Sequence, residues 1–164
     1  MPKAKTPRDK TAQRPWPVPQ RPGFLIRRLH QIHVALFQEF CGAFEVTTLQ
    51  YSLLSALAAR GTADQTTLAA DIALDRTTTT GALKRLEARN LVERPVSDED
   101  RRARICKLTP AGLTLLAKIE ASSRAAHRAT LGTLSGKERA HFIALMQRIV
   151  ADCGNRDSGA ALLD

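Results

Sequence analysis

Asp64-Gln-Thr-Thr-Leu-Ala-Ala-Asp-Ile72, the break Ala73-Leu-Asp75, and Arg76-Thr-Thr-Thr-Thr-Gly-Ala-Leu-Lys-Arg-Leu-Glu-Ala-Arg89 form the stretch on which the reading of this chain turns. In the first segment Leu68, Ala69 and Ile72 recur at the spacing that lines up one apolar stripe on a helix. Asp64 stands where an N-cap carboxylate accepts the free amides of the first turn. In the second segment Thr79, Leu83 and Leu86 share one face, which leaves Arg76, Thr77, Thr80, Gly81, Lys84 and Arg85 outside. Asp75 is placed to cap this second helix, and Asn90 stands at its far end, where a left-handed residue is wanted.

A solvated helix face ordinarily mixes in Glu and Gln; this one offers hydroxyls, a glycine and basic groups, which suits a phosphate-lined groove. Short Thr side chains allow close approach to base edges, while Lys84 and Arg85 reach guanine acceptors or backbone oxygens. The competing reading is a poor helical run of threonines held by its cap. The residues after Asn90 favour the groove. Leu91–Pro95 and Ile105–Leu108 are strand-like runs separated by Ser97-Asp-Glu-Asp-Arg-Arg-Ala-Arg104, so a hairpin is expected whose tip presents Arg101, Arg102 and Arg104. Arginine on such a projection fits a narrow minor groove, and a salt-bridged solvated loop is the alternative. Two short helices, a hairpin and a new helix start spell a winged helix-turn-helix in a mainly α fold, and the expected partner is double-stranded DNA.

The region resembles the multiple antibiotic resistance regulator (MarR) family of winged-helix transcription factors. The matching pieces are Val46-Thr-Thr-Leu-Gln50 before a helix with Leu53, Leu54 and Leu57; Leu68-Ala69 with Ile72; Leu86-Glu-Ala-Arg-Asn-Leu-Val92; and Asp100-Arg-Arg102 leading to Leu108-Thr-Pro-Ala-Gly112. The resemblance runs from about Gly23 to Cys153 and implies a homodimer on a pseudo-palindromic operator. It places Thr77, Thr78, Thr80, Lys84 and Arg85 on the recognition helix and Arg102 on the wing. Gly81 departs from the longer, often basic residue of many relatives, and Asn90 replaces the usual glycine.

At 164 residues with 43% hydrophobic content, the chain suits one core, and its formal charge of +9 with a pI near 10.2 has the sign a polyanion attracts. Residues 1–22 are expected to be a disordered basic, Pro-rich tail: they hold six of the eight prolines and a net +5 of that charge. Such an arm would add non-specific DNA affinity through counterion release. Residues 23–46 read as a dimerisation helix, with Leu25, Leu29, Ile32, Leu36 and Phe40 on one row and Phe24, His33, Phe37 and Phe44 on a second. The winged unit spans 47–110. Residues 111–164 supply further dimerisation helices over Ala111–Thr130 and Lys137–Ala151, the last bearing Phe142, Leu145, Met146 and Ile149.

The family commonly answers to small aromatic or phenolic acids bound between the dimer helices and the winged unit, so the resemblance implies a repressor released by such an effector. Arg28, His30, His33, Phe37 and Tyr51 are the candidate lining, with Arg27 or Arg28 to meet a carboxylate. Metal sensing is the rival on His30-x-x-His33 with Glu39 and Cys41, an incomplete set for zinc, and no metal or cofactor is expected. Cys41, Cys106 and Cys153 are too scattered for a disulfide framework and fit a reducing cytoplasm, with Cys41 the candidate for redox sensing. No apolar run approaches the ~20 residues of a membrane span, and no secretory signal is read at the amino terminus. Nucleophile and phosphate-loop motifs are lacking, so an enzyme is not expected. A winged-helix interaction module without DNA contact is the remaining alternative.

Overall fold

A computed structural model describes residues 16–96 and 104–157, without the side chains of 153–157. Helix α1 (Pro22–Cys41) runs into a 3-10 turn at Gly42–Phe44, so the continuous helix expected to Phe44 tightens in its last turn. Of the leader expected to be a disordered tail, residues 1–15 lie outside the described residues, and the rest is ordered: a 3-10 turn at Val18–Gln20 precedes α1, and the Arg21 guanidinium ties back to the Trp16 carbonyl at 2.8 Å. Helix α2 (Thr48–Arg60) starts in a capping box in which the Gln50 amide donates to Thr47 and the Thr47 amide to the Gln50 side chain, at 3.2 and 3.0 Å.

The helix-turn-helix comes next. Strand β1 (Thr62–Asp64) leads into α3 (Gln65–Asp71), and α4 (Arg76–Ala88) lies beyond the turn. Asp64 accepts the Thr66 and Thr67 amides at 2.7 and 3.0 Å, and Asp75 accepts that of Thr78 at 2.8 Å. Both helix starts are thus fixed by the acids expected from the sequence. Ala73 adopts φ +53° in the turn, and Asn90, at φ +56°, ends α4 in the left-handed conformation.

Strands β2 (Val92–Glu93) and β3 (Ile105–Leu108) form the expected antiparallel hairpin, prolonged by a bridge between Val96 and Arg104. One element was not foreseen: β1 pairs with β3, giving a three-stranded antiparallel sheet in the order β1-β3-β2. Thr-Ala-Asp is too short to show a strand period, and only the tertiary fold brings it to that edge.

Helix α5 (Pro110–Thr130) opens with a joint that explains the Leu-Thr-Pro-Ala-Gly sequence. The Thr109 hydroxyl donates to the Asn90 carbonyl at 2.7 Å and accepts the Gly112 amide at 3.0 Å. A β-carbon at Gly112 would stand 2.1 Å from the Leu91 carbonyl oxygen, so only glycine lets α5 start against the wing base. From there α5 packs along α1, and α6 (Gly136–Asp157) completes the described chain.

Two cores result. Leu53, Leu54, Leu57, Leu68, Leu83, Leu86, Val92 and Cys106 close the winged unit. Phe37, Cys41, Val46, Ile119 and Ala126 form the seam between α1 and α5. Among the described residues, no helix is long and apolar enough to cross a membrane.

Candidate nucleic-acid interface and effector cavity

Helix α4 turns Thr79, Ala82, Leu83 and Leu86 into the core, and its opposite side borders a groove of about 450 Å³ lined by Gln65, Arg76, Thr77, Thr80, Gly81 and Lys84. Thr78, Lys84 and Arg85 are exposed. The Thr80 hydroxyl lies 2.7 Å from the Arg76 carbonyl, so its single proton is directed to its own helix. Gly81 meets no steric demand: the nearest group to a β-carbon there would be the Arg85 guanidinium, at 3.7 Å, an ordinary contact.

The base of the wing is fastened to this helix by Arg94. Its side chain reaches Glu87 of α4 and the Gln65 amide oxygen of α3, each at 3.4 Å, and the residue is only 7% exposed. Arg104 belongs to the same base rather than to the tip, because its guanidinium donates to the Arg94 carbonyl at 3.1 Å and its backbone closes the bridge with Val96. Arg101 and Arg102, with Ser97 to Asp100, lie outside the described residues.

A second concavity, about 360 Å³, has walls from both halves of the molecule: His33 and Phe37 of α1, His127 of α5, Tyr51 among several residues of α2, and Asp71 and Ile72 at the end of α3. Phe37 and Tyr51 rings tilt against each other at 5.5 Å, and the Tyr51 hydroxyl donates to Glu120 at 3.0 Å. Glu120 also accepts from Arg124 at 2.6 Å, and those two hydrogen bonds, that from Arg124 first, hold its carboxyl below the ordinary range. Asp71 is paired with Arg60, which likewise lowers its pKa.

Three comparisons bear on what these two features belong to. A family model described as the MarR family matches residues 46–103. The HTH-type transcriptional repressor NicR of Pseudomonas putida is 32% identical over 136 residues, 83% of this chain and 86% of that protein. The chain belongs to the MarR family. Among solved structures of the family, Bordetella bronchiseptica BpsR, described for the regulation of its DNA binding by 6-hydroxynicotinic acid, shares 31% identity, with a TM-score of 0.74 over 77% of this chain and 96% of that one. The PcaV regulator of Streptomyces coelicolor, solved with its natural ligand, gives 30% identity and a TM-score of 0.77 over 83% and 96%.

Within this MarR-family frame, the expected recognition-helix residues lie together along α4. The effector candidates divide. His33, Phe37 and Tyr51 line the cavity, whereas Arg28 and His30 are not among its lining; Arg28 is exposed and donates to Gln31 at 3.3 Å, and Arg27 lies over the Phe24 ring. Sequence reasoning missed His127, which joins His33 only through α1–α5 packing, and the Ser52 and Ser55 hydroxyls, which carry no pattern of their own. Cys41 and Cys106 are both fully buried, and burial pushes both thiols above their ordinary pKa, the opposite of what a reactive thiolate needs. Among the described residues no three His, Cys, Asp or Glu side chains gather into a metal set.

Proposed function

We propose that this chain is a homodimeric operator-binding repressor whose grip on DNA is released by a small aromatic acid bound in the α1–α2–α3–α5 cavity. The observation that carries the reading is that this cavity takes walls from the α1–α5 layer and from the winged unit together. A ligand there touches both sides of the joint that sets where α4 points, so it can favour one spacing of the two recognition helices over another. Release is then its differential affinity for the two arrangements.

In this reading Arg76, Thr77, Thr78, Thr80, Gly81, Lys84 and Arg85 face the major groove, and the wing approaches the minor groove with Arg101 and Arg102 while Arg104 braces its base. Dimer symmetry sets half-sites about one helical turn apart. The exposed apolar residues of α1 and α6 supply the dimer contact, and the three cysteines remain thiols in a reducing cytoplasm. The regulation of BpsR DNA binding by 6-hydroxynicotinic acid supports an aromatic acid as the effector class, and the complex of PcaV with its natural ligand supports a ligand-binding regulator.

Fluorescence anisotropy with DNA from the promoter upstream of its own gene tests this. Binding should weaken steeply with salt, Lys84→Ala should reduce the slope of log affinity on log salt by about one, and at least one of a panel of hydroxybenzoic and pyridine carboxylic acids should release the DNA. A dimer that binds no promoter DNA at low ionic strength would overturn the reading.

A further inference from the structure

The effector cavity has a lopsided charge inventory. Among the described residues its lining holds no lysine or arginine, and the carboxylate it includes, Asp71, is already engaged by Arg60. Among the described lining residues, the groups that can become cationic toward an entering acid are two imidazoles, His33 and His127, whose rings stack at 4.7 Å with 29° between planes.

The hydrogen bonds around His33 fix which nitrogen can take a proton. The Thr130 hydroxyl donates to the Ala126 carbonyl at 2.8 Å, so its oxygen is left as an acceptor toward His33 Nδ1, 2.9 Å away. Nδ1 must carry hydrogen, and Nε2 is the atom that gains or loses the titrating proton. Resting on the reading of this cavity as the effector site, we propose that the stacked His33–His127 pair is the anion receptor for the effector's carboxylate, and that binding draws one proton from solvent onto the pair.

Burial, followed by His127 of α5 and His30 of α1, pushes His33 below the ordinary imidazole pKa. The other ionisable groups facing the pair are Tyr51 of α2, Asp71 of α3 and Glu120 of α5, and both carboxylates are engaged by arginines. Two adjacent imidazolium rings repel; a carboxylate beside them reverses that balance. The proton comes from water or buffer, the carboxylate stays ionised, and no covalent bond changes. Because a bound carboxylate favours the protonated pair, affinity for the acid falls as pH rises past the range in which that proton is taken up, by up to about tenfold per unit for one linked proton.

Calorimetric titration of the full chain near neutral pH tests this, using the tightest binder among 6-hydroxynicotinic, nicotinic and hydroxybenzoic acids, in phosphate and in Tris buffers of different ionisation enthalpy. The expected result is buffer-dependent heat equal to uptake of about one proton, lost in His33→Gln and in His127→Gln, each binding roughly tenfold more weakly at neutral pH. His127 is exposed, so His127→Gln keeps the test if His33→Gln disturbs the Thr130 contact. An acid that binds and releases promoter DNA with no buffer-dependent heat overturns the proposal and leaves the proposed function standing. Uptake that persists in both variants places the proton elsewhere and also overturns it. No binding and no release by any of the acids removes both.

Discussion

The winged unit and the α1–α6 layer treat their apolar residues in opposite ways. In the winged unit the core leucines of α2, α3 and α4 are fully buried by one another and by the sheet. In the other layer Ile26 is 69% exposed, Ile149 60% and Val150 70%, and no described side chain of α6 is buried. One half has completed its core within a single chain; the other presents an apolar surface that water disfavours, by roughly 25 cal/mol for each Å². In the proposed homodimer a second copy is the occupant that makes both halves obey the same physics.

The sharpest way to break the comparison is at the joint between the halves. Gly112→Val would drive a side chain into the Leu91 carbonyl, which belongs to backbone and cannot step aside. A loss of about 3 kcal/mol, read from the urea midpoint, is expected. Gly81→Ala is the control: its β-carbon meets only the flexible Arg85 at 3.7 Å, and replacing a mid-helix glycine should raise stability by up to about 1 kcal/mol. Equal effects at the two glycines would mean that the joint does not bear on the fold.

A smaller effect separates the halves. Ile149→Glu places a charge on the exposed face of α6 and should weaken self-association by about 1 kcal/mol per subunit, that is about 2 kcal/mol per dimer and roughly 30-fold in the dissociation constant. Sedimentation equilibrium would show this while far-UV circular dichroism keeps its helical signal. A dimer constant that does not move would remove α6 from the interface and leave its apolar face unexplained.

How much of this was legible in the sequence obeys the same division. The winged unit could be read closely, because caps and periodicity are local: Asp64, Asp75 and Asn90 act within a few residues of where they stand. Strand β1 escaped because three residues carry no period, and its partner lies far along the chain in β3. The cavity was only half legible. His33, Phe37 and Tyr51 announced themselves as aromatic groups on helix faces, but His33 meets Thr130 across 97 positions, and no spacing rule reaches that far. Arg28 and Arg27 were drawn to the site by charge complementarity alone; the rotation of α1 that buries Phe37 turns them to its exposed side.

The smallest expected effect tests the part read most closely. Asp64 caps α3 and also receives the Thr67 hydroxyl at 2.9 Å, and these hydrogen bonds, the Thr67 amide first, hold its carboxyl below the ordinary range. Asp64→Ala should cost about 1 kcal/mol, and Asp64→Asn less, since an amide oxygen still caps. The pH dependence has a definite sign. A carboxyl lowered in the folded state contributes its full stabilisation above the unfolded value near 4, and loses it as pH falls from there through the depressed folded value. Urea unfolding of the native protein should therefore weaken over that acidic interval more than that of Asp64→Ala. Because α3 belongs to the half that closes its own core, the difference should persist when Ile149→Glu has taken the dimer apart; if it vanishes with the dimer, the winged unit depends on its second copy and the contrast between the halves fails.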